Sequence, residues 1–452
     1  MDHSFFLKGD ICWSSSHRRG TSSSGFGSSG IRGGFQTLES AENGFLLCLN
    51  GKSGGVFKEI PGQYSHLPVK DYSRKLIIPG LTDLHIHAPQ FAFRALGMDM
   101  ELLDWLNKHA FPEEAKYREP EYAGEAYRRF VDHEKKGPNT RLCVFATIHN
   151  PATLLLMDML EESGLVSLVG KVNMDRNCPE YLRESDSAGA TREWLEAYFK
   201  GRKEGRYKNT YPILTPRFIP SCSGELMKGL NKIQAEYGLA VQSHLSENRK
   251  EVEWVKELYP GAESYAGAYD GFGLLGGGAP TVMAHCVWSD EKETELLAVK
   301  GVYVAHCPQS NTNLSSGIAP LRRFMDRGIP IGLGSDVAGG AHTSIFRAMT
   351  DAIQVSKLRQ TLVAPVEKAL TLEEAFCMGT AGGGSFFGLL KGTEFGASGS
   401  FEEGLDFDAV IIDDSALAST DMIGIRDRLE RVVYLSDDRH IAGKFVRGAA
   451  VL

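Results

Sequence analysis

From Leu76 onward the chain repeats one unit, a short apolar, β-rich run followed by a stretch of helical periodicity. The runs are Leu76–His85, Arg141–His149, Leu168–Met174, Tyr211–Phe218, Leu239–His244, Thr281–His285, Val302–His306 and Ile329–Asp336. Helical patterns such as Glu225–Tyr237 and Ser289–Val299 lie between most of them. Parallel strands need crossovers of this kind. Eight of them predict an α/β fold, a (β/α)8 TIM-like barrel whose active site sits at the C-terminal strand ends. Two further helical stretches, Ser344–Gln360 and Leu372–Phe387, follow the last run.

The two ends of the chain read differently. Phe5–Trp13 and Gly44–Leu49 are candidate strands at one end. Phe407–Asp413, the alternating Arg431–Leu435 and Lys444–Val446 are candidates at the other. The expected division is therefore a barrel over residues 76–390 and a small β-sandwich domain built from residues 1–75 and 391–452. Ser14–Gly34, rich in Ser and Gly, reads as a flexible surface loop.

The polar residues that close the runs carry the chemistry. His85 and His87 stand two apart, so they share one strand face and can reach one metal ion, with Ile86 turned into the scaffold. His244, His285 and Asp336 close three later runs. A lone strand-end histidine is more often structural, but three such ends together with the His-x-His pair favour a metal site. Three of these four histidines with the aspartate would leave a position open for water, the arrangement of a catalytic metal. Glu247 lies three residues beyond His244, near such a metal without being forced to ligate it. His285 could be a further ligand or a hydrogen-bond partner of the bound water, and Asp83 could support His85 or be only a strand-end carboxylate. Trp105, at helical spacing, reads as core rather than as a stacking platform.

Composition narrows the alternatives. A net charge of -8 and a pI near 5.9 supply no basic footprint for nucleic acid or an anionic membrane. No apolar run approaches the roughly 20 residues that span a bilayer, and Met1–Phe5 does not read as a secretory signal. The eight cysteines are scattered with no CxxC pair, which fits a reduced, cytoplasmic protein. The HxE…PCxxC pattern of the cytidine and adenosine-editing zinc deaminases is absent as well.

At this point the motifs resemble a known family. Pro79-Gly80-Leu81-Thr82-Asp83-Leu84-His85-Ile86-His87 resembles the metal motif of the amidohydrolase superfamily. Ser243-His244-Leu245-Ser246-Glu247 resembles that of its aminohydrolase branch, and Gly334-Ser335-Asp336 its terminal ligand motif. His87-Ala88-Pro89-Gln90, Thr215-Pro216-Arg217-Phe218 and His306-Cys307-Pro308-Gln309-Ser310-Asn311 look like those of guanine deaminases.

The resemblance implies that His85, His87, His244 and Asp336 ligate one zinc per chain, with iron the alternative. It makes His285 the contact to the metal's water, Glu247 the proton shuttle, Gln90 and Arg217 the purine contacts and Phe218 part of the pocket wall. His244 and Glu247 would also touch substrate. The fourth run carries no Lys near its end, which removes the usual bridge to a second metal. A bound divalent metal lowers the pKa of its water to roughly 7. Hydroxide could then attack the amine-bearing ring carbon while Glu247 protonates the ring. Gln90 offers a donor and an acceptor, and Arg217 a planar fork suited to a carbonyl oxygen. The expected reaction is guanine to xanthine and ammonia, in a homodimer. Two alternatives stay open: an amidohydrolase acting on 8-oxoguanine, a cytosine-like pyrimidine or a triazine, and a non-catalytic scaffold barrel.

Overall fold

The computed structural model describes residues 4–15, 37–417 and 423–452. Its first strands are β1 (Phe5–Ser15), β2 (Thr37–Leu49), β3 (Lys52–Phe57) and β4 (Val69–Pro79). The repeated part supplies β5 (Leu81–His87), β6 (Asn139–Phe145), β7 (Val166–Gly170), β8 (Val172–Asn173), β9 (Thr210–Pro212) and β10 (Thr215–Pro216). It continues with β11 (Val241–Leu245), β12 (Thr281–His285), β13 (Tyr303–His306) and β14 (Ile331–Leu333). Three strands close the chain, β15 (Ala409–Ile412), β16 (Ile441–Val446) and β17 (Ala449–Ala450).

Two parallel sheets of four strands form the α/β part, in the orders β5-β6-β7-β9 and β11-β12-β13-β14. They meet along both edges. Leu214 N–H donates to Ala240 O and Gln242 N–H to Leu214 O, each at 2.9 Å. On the other side Asp336 N–H donates to His85 O at 2.9 Å and His87 N–H to Val337 O at 3.1 Å. The intervening helices carry ordinary stop and start signals. Asp186, Ser223 and Asp290 cap the N-termini of Ser187–Lys203, Gly224–Tyr237 and Glu291–Lys300 with their side chains. Gly164, Gly238 and Gly301 end three helices in the left-handed conformation.

The two chain ends come together in one seven-stranded sheet, ordered β17-β16-β15-β4-β1-β2-β3. Alternation divides its faces. Phe5, Leu7, Ile11, Ile77, Ile411 and Phe445 form a separate apolar cluster on one side. Their neighbours Cys12, Leu76, Ile78, Val410 and Ile412 join the main core on the other.

Several expectations shift in detail. The run expected as one strand, Leu76–His85, is two strands parted at Gly80. A Cβ there would lie 2.2 Å from Thr140 Oγ1, so only glycine lets the chain pass between the sheets. Arg431–Leu435, expected to alternate as a strand, ends the helix Ile425–Leu435. Its buried residues Ile425, Leu429, Val432 and Val433 fall on one helical face, a period hidden in a five-residue window. Ser14 and Ser15 finish β1, and the rest of the expected Ser14–Gly34 loop lies outside the described residues, apart from these two.

Buried ions tie the two sheet systems together. Arg141 donates from Nε to Asp408 at 2.7 Å and from Nη2 to Asp406 at 2.8 Å, with all three side chains almost fully buried. Lys444 Nζ donates to the carbonyls of Glu134, Gly137 and Asn139. Removing one member of a buried pair leaves the other charge uncompensated. Arg141→Met is therefore expected to destabilise the protein by about 3–5 kcal/mol, read as a lowered midpoint in chemical denaturation.

Candidate active site

The polar residues at the ends of the parallel strands converge on one point. Single ligand atoms from His85, His244, His285 and Asp336 all lie within 4.8 Å of one another. His87 joins them, its Nε2 being 3.2 Å from His244 Nε2 and 3.4 Å from Asp336 Oδ1. Asp336 Oδ1 is 3.2 Å from His85 Nε2, and its Oδ2 is 3.8 Å from His285 Nε2. Two of these positions hold a backbone that only their surroundings justify, with His285 at φ 72° and Asp336 at φ 47°.

The backbone and a neighbouring side chain set the proton on two of the rings. His244 Nδ1–H donates to Arg217 O at 2.6 Å, which leaves its Nε2 bare toward His87. His285 Nδ1–H donates to Asn311 Oδ1 at 2.9 Å, which leaves its Nε2 bare toward Asp336 and Glu247. Burial first, and then neighbouring rings, push the pKa of His87 and His244 well below the imidazole range; burial lowers His85 as well. Neutral imidazole is the metal-ligand form. His85 Nε2 and His285 Nε2 are buried without a hydrogen-bond partner. Bare nitrogens facing one carboxylate make a donor set that fits a divalent cation.

Asp83 answers the question left by the sequence. Its Oδ1 accepts from His85 N–H at 3.2 Å and from Ser335 N–H at 3.0 Å. It thereby clamps the segments that carry His85 and Asp336, which is a support of the ligands from behind. Gly334 allows this close approach, since a Cβ there would stand 2.8 Å from His85 Cβ.

A cavity opens over the cluster. Eight of the nine residues singled out from the sequence line it: His87, Gln90, Arg217, Phe218, His244, Glu247, His285 and Asp336. His85 belongs to the cluster itself. Glu247 is buried, 3.5 Å from His285 Nε2, and accepts from Ser316 Oγ at 3.3 Å. Burial, followed by the charge of Asp336, raises its pKa well above the carboxylate range. Trp105 packs on Phe93 as core, yet also lines the cavity with Leu102 and Leu106.

Three residues carry parts of the site that no spacing announced. Glu114 accepts two hydrogen bonds from Arg217 and one from Gln90. Gln90's oxygen already accepts from Ala338 N–H at 3.1 Å, which fixes the orientation of its amide. Glu251 accepts from the N–H groups of Glu247 and Asn248 and from Tyr265 Oη, fixing the turn that presents Glu247. Asn311 orients His285; its presence in the His306–Asn311 motif was the one available signal. Glu114 and Glu251 lie in acidic helical turns that look like any solvated carboxylates.

Comparison with known proteins agrees with this geometry. The sequence pattern of the amidohydrolase family matches residues 76–451. The chain is similar to a guanine deaminase of Dictyostelium discoideum, 38% identical over 387 residues covering 84% of this chain and 83% of that protein. It is 39% identical to a guanine deaminase of Homo sapiens over 389 residues, with the same coverage of 84% and 83%. Among solved structures it resembles the guanine deaminase of C. acetobutylicum with guanine bound in its active site. The TM-score is 0.89 and the identity 40%, over 99% of this chain and 100% of that one. The chain belongs to the amidohydrolase family, on the branch that holds the guanine deaminases.

Proposed function

We propose that this protein is a metal-dependent guanine deaminase, converting guanine and water to xanthine and ammonia. The observation that carries the reading is one cavity in which a buried His/Asp cluster, the buried carboxyl of Glu247 and the N–H groups of Gln90 and Arg217 come together. The C. acetobutylicum relative, 40% identical, holds guanine in its active site.

In this reading His85, His87, His244 and Asp336 hold one zinc per chain, with iron the alternative. A divalent metal bound there supplies an activated water at neutral pH. The remaining work falls to the chain. Gln90 and Arg217 hold the purine edge by donation, and Phe218 walls the ring, packed edge-on against Trp254. Asp336 accepts a proton from the attacking water. His285, its tautomer set by Asn311, steadies the developing charge through Nε2. Glu247 enters protonated, because burial and the Asp336 charge disfavour its ionised form. It gives that proton to a ring nitrogen as the C–O bond forms at the amine-bearing carbon, then takes the proton left on the new C–OH oxygen and passes it to the amino group; the C–N bond breaks to leave the ring carbonyl and ammonia, and the proton held by Asp336 restores Glu247.

The architecture we propose around it is a closed (β/α)8 barrel over residues 76–390, with residues 1–75 and 391–452 forming a small β-sandwich domain. The two parallel sheets meeting along both edges support the first part, and the apolar cluster between Phe5 and Phe445 the second. We place the protein in the cytoplasm as a homodimer; no helix among the described residues is long and apolar enough to cross a membrane.

Metal analysis of the purified protein should return about one divalent ion per chain. His85→Ala and His244→Ala should each lose both metal and ammonia release, and full activity in metal-free His85→Ala protein would end the metal reading. Glu247→Gln keeps the shape and removes the acid. It should still bind metal and guanine yet turn over roughly 10²–10⁴-fold more slowly; parental rates would remove the shuttle. Across a panel of guanine, 8-oxoguanine, cytosine and a triazine, guanine should release ammonia fastest. A faster cytosine or triazine would replace the substrate and leave the metal chemistry standing.

A further inference from the structure

Two cavity-lining side chains share one carboxylate behind them. Glu114 accepts from Arg217 Nη1 at 2.6 Å, from Arg217 Nη2 at 3.0 Å and from Gln90 Nε2 at 2.8 Å. The Arg217 and Glu114 side chains are each 3% exposed. Arg217 and Gln90 line the cavity, while Glu114 stands outside its lining. The guanidinium is also held from another side, stacked over Phe111 at 5.0 Å.

Each contact removes an alternative. The N–H of Ala338 can only donate, so the Gln90 atom facing it at 3.1 Å is the amide oxygen. A carboxylate only accepts, so the atom facing Glu114 is the amide nitrogen. A flipped amide would set donor against donor at one end and acceptor against acceptor at the other. The two-pronged pair fixes the guanidinium plane in the same way. Most of what remains is N–H, the second hydrogen of Gln90 Nε2 and the unused donors of Arg217, beside one spare lone pair on the Gln90 oxygen.

We infer that Glu114 is a positioning residue that sets Gln90 and Arg217 as a wall of donors, and so selects a heterocycle presenting acceptors there. A ring carbonyl beside an unprotonated ring nitrogen satisfies the wall. An amino group in place of the carbonyl meets donors with donors and leaves buried N–H groups unpaired, the situation that rejects an analogue most strongly. The inference rests on the proposed guanine reading and deepens it. A purely structural ion pair would affect stability and leave selectivity alone.

The test uses metal-loaded protein and two ligands that cannot be deaminated, hypoxanthine, which has the ring carbonyl, and purine, which lacks it. The parent should prefer hypoxanthine. Glu114→Gln should keep its metal and lose roughly 10–100-fold of that preference, the worth of hydrogen bonds to a charged group. In turnover, its KM for guanine should rise more than its kcat falls, and its preference for guanine over 2,6-diaminopurine should narrow. Glu114→Asp keeps the charge with a shorter reach and should lie between the two; it carries the test alone if Glu114→Gln does not fold. A variant with parental preference overturns the role of Glu114. A parent that neither prefers hypoxanthine nor releases ammonia from guanine overturns the guanine reading itself, which is a separate result.

Discussion

The carboxylate of Asp336 is the point on which the rest of the site depends. It lies 3.2 Å from His85, 3.4 Å from His87 and 3.8 Å from His285, in a setting almost free of solvent. A buried carboxylate beside His85 and His87, whose pKa values burial lowers, is poorly compensated by those rings alone. A cation at the centre resolves the conflict, since it satisfies the bare nitrogens and the carboxylate together. Burial, and after it the charge of Asp336, raises the pKa of the neighbouring Glu247, so the group that anchors the cluster also bears on the acid beside it.

Arg217 joins the metal cluster to the ligand wall. Its carbonyl accepts from His244 Nδ1–H and sets that ring's tautomer, while its guanidinium reaches Glu114 and the cavity. Ser243 Oγ–H also donates to Pro216 O at 2.6 Å, so β10 and β11 are held in step at this level. A displacement of Arg217 would therefore disturb both the ligand geometry at His244 and the donors offered to a substrate. The two functions are coupled through one residue's backbone and side chain, across a distance too short for slack.

The small sheet serves this centre from a distance. β4 pairs with β1 and β15, then passes through Gly80 directly into β5, which carries His85 and His87. Arg141 begins on β6, beside β5, and ends on Asp406 and Asp408 at the entrance to β15. The strand that bears the first two ligands is thus held from the chain's own two ends, which explains why residues far apart in sequence are needed to fix one metal-binding strand.

Much of this was legible before any coordinates. The strand-helix repeat implied a parallel α/β core, and the alternation of β5 placed His85 and His87 on one face, because both are consequences of local backbone periodicity. Strand-closing His244, His285 and Asp336 could be named as candidates for the same reason. What periodicity cannot encode is contact between elements. Glu114 is 103 residues from Arg217 in the chain, and no local pattern distinguishes it from the solvated acid at Glu119. The split at Gly80 depended on Thr140 standing against it, and the helix at Ile425–Leu435 on which face found a core to bury. The sequence alone determined which residue types stand at the strand ends and on which face. Tertiary structure decided which carboxylates are buried, which are paired and which stay acidic, because desolvation and hydrogen-bond partners exist only once distant segments have packed together.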